Sequence, residues 1–322
     1  MRTGEPARPS VPDVYDAIVV GGGPAGLAAT QQLARGCAPT LLLDAGVPRN
    51  ADADYVNGSL GLDGIAPTAF RERARADLER YPHVEVAEAW VERVDPLRAG
   101  GFRVSAGDRT WRARRVLLTT GVVDVRPAIP GVDGYWGTSI VQCPFCHGWE
   151  ARAEPAAVVL EDETMLPEML RFYSRWAPSL VAVTAPGFDP SRRARQVLAA
   201  AGVPLHTSAV VALHGADRRL REVEFEDGRR ARVGTVYVHN EQQPTDLVKN
   251  LGLELEFGAY VAVVKDYAMP DPTAPLFRTS VPGVYAAGDA TSMVQAAQLA
   301  AFEGALAARR IILDLAIEAG VR

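Results

Sequence analysis

Apolar residues in this chain gather in short runs that glycine and proline interrupt. The first run, Ala17 to Val20 (AIVV), breaks into GGGPAGLAATQQLA and then into a second apolar run, TLLLD, ending at Asp44. That order predicts strand, glycine turn, helix and strand, one βαβ unit opening an α/β fold. A second unit is predicted from AAVVL (156–160) through the helix-like MLPEMLRFY to LVAVTA (180–185). Near the end, PGVYAAGDA reads as a strand running into a turn, and QAAQLAAFEGALAARRIILDL reads as a long alanine-rich helix. Proline and glycine cluster at VRPAIPGVDGYWG (125–137), the expected hinge into a middle domain, with a return crossing near Glu241 to Pro244. There is no tandem repeat and no low-complexity array.

Composition changes this picture little. The 322 residues suggest about two domains. A hydrophobic content of 48% and a charged content of 23% are ordinary for a soluble globular protein. A net charge of -5 gives no reason to expect nucleic acid or an anionic membrane as partner. No apolar run is long enough to span a bilayer. Residues 1–15 contain charge and proline but no apolar signal-peptide core, so they are expected to be a disordered tail. Three cysteines, Cys37, Cys143 and Cys146, do not suit a disulfide-stapled secreted scaffold, and the expected location is the cytoplasm.

Gly21, Gly23 and Gly26 form GxGxxG directly after the first strand and open the first helix, with Pro24 and Ala25 between them. The first glycine permits the tight turn, the second lets backbone approach a pyrophosphate, and the third lets helix and strand pack closely. Asp44 ends the next strand, 18 residues past Gly26, where a carboxylate meets ribose hydroxyls. The arrangement points to a dinucleotide without saying which one.

The stretch CPFCHGWE (143–150) can be read as a haem attachment site, half of a metal site, a structural pair or a redox disulfide. Neither an export route nor a helical haem carrier is visible. The remaining histidines, His83, His206, His214 and His239, are scattered singly, so no metal is expected. The redox reading fits best, because C-x-x-C at a helix start lowers one thiol's pKa and closes a small reducible ring.

Three separated motifs resemble those of the low-molecular-weight thioredoxin reductases. TSVPGVYAAGDA, with Gly288 and Asp289, resembles their second FAD signature. Leu117 to Gly121 (LLTTG, including Thr120 and Gly121) resembles the strand that links their domains. TTGVVDVRPAIPGVDGYWGTSIVQCPFCHGWE resembles their central redox segment. The C-x-F-C-H-G form is closer to the gliotoxin- and holomycin-type dithiol oxidases. So is the "RN…DG…P…FR" pattern that begins at Arg49 and Asn50. The resemblance implies FAD as cofactor. It implies two Rossmann-like, three-layer dinucleotide-binding domains, the second inserted in the first. The FAD domain would span 16–124 and 245–322, and the central domain 125–244. It further implies a homodimer, with Gln295 and Ala296 at the flavin's pyrimidine edge.

The pattern breaks in the middle domain. Where thioredoxin reductases carry a second glycine fingerprint for NADPH, the strand AAVVL runs into Glu161-Asp162-Glu163-Thr164. The His-Arg-Arg element that would grip a 2′-phosphate is replaced by Ala185-Pro186-Gly187, with Arg192, Arg193 and Arg195 just downstream. The NAD(P)H site is therefore expected to be degenerate. The expected activity is an FAD-dependent dithiol oxidase closing a disulfide in a small, partly apolar natural-product dithiol, with O2 as acceptor and H2O2 as product. By the resemblance Cys143 is attacked by substrate and Cys146 passes electrons to the flavin, while His147, in place of the reductases' aspartate, is the candidate general base, a purely packing role being the alternative. Tyr135, Trp136, Phe145 and Trp149 are candidates for aromatic walls around that ligand, with core packing the favoured reading for each residue singly. The competing readings are a disulfide reductase fed by NAD(P)H or ferredoxin, and a non-catalytic flavin redox sensor.

Overall fold

The computed structural model describes residues 12–266 and 274–320. Of the tail expected over 1–15, residues 1–11 lie outside the described residues, and Tyr15 already begins the first strand. The chain divides into two compact units. One runs to Arg49, then Ser59–Val123 and from Gln242 onward; the other is Asn50–Gly58 with Asp124–Glu241. No described helix is long and apolar enough to cross a membrane.

In the first unit, five parallel strands lie in the order Val84–Glu88, Thr40–Asp44, Tyr15–Val20, Arg109–Leu118 and Val284–Ala286. The first half of Arg109–Leu118 also pairs antiparallel with Phe102–Ala106, which pairs with Arg93–Pro96. Alternation sends Ile18, Val20, Leu41 and Leu43 to one face and Ala17, Val19 and Leu42 to the other, all of them buried. Burial on both faces is why these strands read as unbroken apolar runs, each large side chain contributing about 2 kcal/mol. Helix α1 (Pro24–Arg35) covers the second face with Leu27 and Leu33. Helix α2 (Pro67–Leu78) adds Leu78 to the same cluster.

The second unit carries a five-stranded parallel sheet, ordered Leu205–His206, Leu180–Thr184, Ala156–Leu160, Thr235–Tyr237 and Ile140–Val141. Helix α3 (Pro144–Ala151) follows its edge strand. Helices α4 (Leu166–Tyr173) and α5 (Arg192–Ala200) pack Leu166, Leu170 and Leu198 on one face. The antiparallel hairpin Val210–Ala216 and Arg219–Phe225, joined by Arg230–Arg232, covers the other with Val223 and Phe225. Back in the first unit, the short helix α6 (Asp246–Leu251) and the long α7 (Ala297–Ala319) complete the chain. Gly304 is what seats α7 on α1, since a Cβ there would lie 2.0 Å from the Ala25 carbonyl oxygen.

Candidate active site

The glycine turn of the first unit is built for a close approach. Gly21 has φ +109°, and a Cβ on it would lie 2.4 Å from the Thr119 carbonyl oxygen. A Cβ on Gly26 would lie 1.8 Å from the Gly21 oxygen, whereas one on Gly23 would meet nothing within 4 Å. Open space therefore stands before the α1 N-terminus. Gly23 supplies no side-chain cap there, and Pro24 occupies the first turn. The uncapped N–H groups and the positive end of the helix dipole suit an anion. Ala25 is the packing pivot, touched from outside by Gly304 and facing Gly288, where a Cβ would come within 2.7 Å of its own.

Asp44 ends its strand almost fully buried. Burial works against its charge. The Gly46 N–H and the guanidinium groups of Arg71, at 2.6 Å, and Arg75 outweigh that and hold its carboxyl below the usual range. Arg71 and Arg75 sit one turn apart on α2, so one helix face delivers both. Neither arginine was expected to meet Asp44, although Arg71 closes the "RN…DG…P…FR" pattern, nor was Gly22 expected there, where a Cβ would fall 2.4 Å from the Asp44 carboxylate.

At the other end of the chain, Gly288 (φ +76°) and Asp289 form a short 3-10 turn after the strand Val284–Ala286. The Gly288 N–H donates to Glu303, which also accepts from Thr291 and from Lys265 at 2.8 Å. Arg49 donates to Asp289 at 2.9 Å and to Gln295 at 2.5 Å, while Gln295 exchanges amide hydrogen bonds with Gln242. Residues from three distant stretches thus meet. Thr120 faces Thr245 at 3.4 Å, and Gly121 turns with φ +64°. Ala296 is extended and caps α7, which starts at Ala297 rather than at Gln295. Asn50, by contrast, packs with the second unit.

The cysteine pair lies in that second unit. Cys143 caps α3, Pro144 opens it, and a disulfide joins Cys143 to Cys146 across a Cα–Cα distance of 5.3 Å. Asn57, from the segment that crosses into this unit, donates to the Cys146 carbonyl at 2.8 Å. Helical spacing places Cys143, Cys146, His147, Glu150 and Ala151 on one face of α3, and Phe145, Trp149 and Arg152 on the opposite one. Gly148 lets the helix close on the turn that follows α4, because a Cβ there would meet the Trp176 ring at 2.5 Å. Phe145 packs edge-on against Trp176 and Phe172, and Arg152 lies over Trp149. The four aromatics weighed as wall or core divide between core and surface within this unit. Trp136 is buried in the core with Arg126 over its ring, and Tyr135 packs against the same core.

Both ring nitrogens of His147 are buried, and neither has a partner at hydrogen-bond geometry, although backbone of Cys143 and Gly137 approaches. Burial holds its pKa below the ordinary imidazole value, so the ring is neutral at pH 7 and able to take a proton. With the folded pKa depressed, the unfolded chain binds the extra proton, and stability falls as pH drops below about 6.5. His147→Gln should flatten that acid-side slope, seen as a change on the order of 2 °C in the melting-temperature difference between pH 7.5 and 5.5. Equal differences in the two proteins would show that the ring protonates freely in the fold.

A family profile for the pyridine nucleotide-disulphide oxidoreductases matches residues 15–160 and 183–304. The chain belongs to that family. Thioredoxin reductase tcpT from Claviceps purpurea (strain 20.1) is 32% identical, over 95% of this chain and 97% of its own length. Among solved structures, a putative thioredoxin reductase TrxB from Bacillus anthracis superposes with a TM-score of 0.86 at 30% identity, covering 95% of this chain and 100% of that one. HlmI superposes at 0.83, also with 30% identity, covering 95% and 94%. The protein is a thioredoxin reductase-like flavoprotein, an oxidoreductase with FAD as its cofactor and two dinucleotide-binding domains. The resemblance to the gliotoxin- and holomycin-type members, read from the cysteine motif, stands beside these matches.

The turn that follows Ala156–Leu160 carries Glu161, Asp162 and Glu163. After Ala156–Leu160 the three carboxylates are taken up locally. Glu161 pairs with His239 at 2.8 Å, and Asp162 accepts from the backbone and hydroxyl of Thr164. Glu163 accepts the Ser191 N–H at 2.9 Å, and Ser191 in turn caps α5 through the Ala194 N–H. Those hydrogen bonds hold the Asp162 and Glu163 carboxyls below their usual range, so both are charged at pH 7. Downstream, Arg195 is bound to Asp189 and to the Pro190 carbonyl.

Proposed function

We propose that this flavoprotein is an FAD-dependent dithiol oxidase acting on a small molecule. The observation that carries the reading is the turn after Ala156–Leu160. Three carboxylates occupy it, and local partners hold them in place. A dinucleotide pyrophosphate needs open backbone N–H groups there and would meet negative charge instead. Electrons then enter from thiols through Cys143 and Cys146.

In the first unit, the α1 N-terminus beyond Gly23 suits the FAD pyrophosphate, and Asp44 suits a ribose. Arg49, Asp289 and Gln295 form a second polar cluster for the flavin half, flanked in sequence by Gly288 and Ala296, with Thr120 and Gly121 its further candidates. FAD supplies the two-electron acceptor that dioxygen turns over to peroxide. His147 takes the proton of the incoming thiol. The thiolate attacks Cys143 Sγ, and Cys146 leaves as thiolate. The substrate's second thiol, once deprotonated, attacks its own sulfur in the mixed disulfide, releasing Cys143 and the product disulfide. The cysteine pair returns to the disulfide as its electron pair passes on. The net reaction is dithiol plus O2 giving disulfide plus H2O2.

A cavity of about 860 Å³ beside His147 supports a small substrate, since small-molecule sites run to roughly 1,000 Å³. Competition kinetics test this reading. A small cyclisable dithiol such as dithiothreitol should exceed reduced thioredoxin in kcat/KM by about tenfold or more. Thioredoxin winning by that margin would return the protein to the reductases.

A further inference from the structure

The cavity beside His147 lies wholly within the cysteine-bearing unit. One wall is the face of α3 that carries His147, Glu150 and Ala151, the same helical stripe as Cys143 and Cys146. The facing wall comes from the hairpin and its third strand, with Arg221 and Arg232. Asp54, Tyr55 and Asn57 close a third side, and Asn57 is bonded to the Cys146 carbonyl. A ligand seated here therefore abuts the residue next to the redox pair, and the two unpartnered nitrogens of His147 sit at that boundary.

The charges on the walls divide into two sets. Asp54 is held by Arg219 at 2.6 Å, and Glu222 by Arg230 at 2.9 Å. Among the described residues Glu150, Glu154, Arg221 and Arg232 are in no ion pair. Glu154 is seated deliberately: Gly234 leaves the room, since a Cβ there would lie 2.6 Å from the Cβ of Glu154. Tyr55 is the one phenol ring on the wall, beside the imidazoles of His147 and His214, and Leu220, Ala151 and Ala216 add apolar surface between the charged groups. Uncommitted charges of both signs suit a ligand that itself carries both.

We propose that this cavity binds the non-reacting body of the substrate, and that the substrate is a peptide-like dithiol bearing both an ammonium and a carboxylate group. Glu150 and Glu154 receive the ammonium, and Arg221 and Arg232 the carboxylate. This rests on the dithiol-oxidase reading and adds the chemical class of the substrate to it.

The test compares reduced Cys-Gly-Cys with free termini, the same peptide acetylated and amidated, and dithiothreitol, on the FAD-loaded enzyme in air. The free peptide should exceed the capped one in kcat/KM by about tenfold, the effect of one or two charge-assisted contacts. Glu154→Gln and Arg232→Gln, both on exposed side chains, should each shrink that ratio severalfold. A wild-type ratio within twofold of unity, or a ratio that neither variant moves, overturns the proposal. Calorimetry with the cyclic, already oxidised peptide reads the cavity without turnover. Free termini should bind more tightly than capped ones in wild type, and equal affinities overturn the proposal. If dithiothreitol itself fails to bleach the flavin, the oxidase reading fails separately, whatever calorimetry shows.

Discussion

Cys146→Ser should abolish reduction of the flavin by dithiols, lowering the anaerobic bleaching rate by on the order of a thousandfold or more. The disulfide at the start of α3 is the only route that the proposed reaction offers from thiol to FAD, and one missing sulfur leaves no ring to open. Cys143→Ser should lose turnover as well, because the incoming thiolate then has no disulfide to attack. The two variants should differ in colour. With Cys146 left as a thiolate, Cys143→Ser should show a long-wavelength thiolate–flavin charge-transfer band that Cys146→Ser lacks. The free Cys37 is exposed on the other unit and has no resolving partner, so Cys37→Ser should change neither the rate nor the spectrum. Near-normal oxidase rates in both active-site variants would make the pair structural.

What the sequence made legible was local. AIVV and TLLLD announce the two central strands because burial on both faces leaves them no polar positions. Gly21 and Gly26 are legible because only glycine tolerates a carbonyl at 2.4 Å or less from a Cβ. What was not legible needed tertiary proximity. Arg71 and Arg75 lie on a polar helix that nothing in its own pattern directs at Asp44, 27 and 31 residues earlier. The crossing of Asn50–Gly58 into the second unit rests on ion pairs such as Asp54 with Arg219, 165 residues apart. The four aromatics near the cysteines divide for a related reason. Sequence neighbours on a helix point to different faces, so Phe145 and Trp149 turn away from the stripe that carries His147. Trp136, off that helix, was claimed by the core.

Without air, NADPH should leave the flavin oxidised while a small dithiol bleaches it. Three carboxylates stand in the turn where the pyrophosphate would lie, each repelling an anion a few ångströms away by about 1 kcal/mol in water. Together they weaken binding by on the order of a hundredfold, before counting the lost glycine approach. The carboxylates are also not free to leave. Glu163 holds the Ser191 N–H at the start of α5, and Asp162 holds its own turn through Thr164, so opening the seat means breaking the local structure. Of the three arginines downstream of Ala185-Pro186-Gly187, Arg195 is already committed to Asp189 and the Pro190 carbonyl. The measurement is an anaerobic titration followed at the flavin absorbance, with NADPH first and dithiothreitol second. The expected trace is flat through the first addition and falls on the second. Rapid bleaching by micromolar NADPH would mean that the second unit binds nicotinamide in spite of its carboxylates, and the protein would be a reductase.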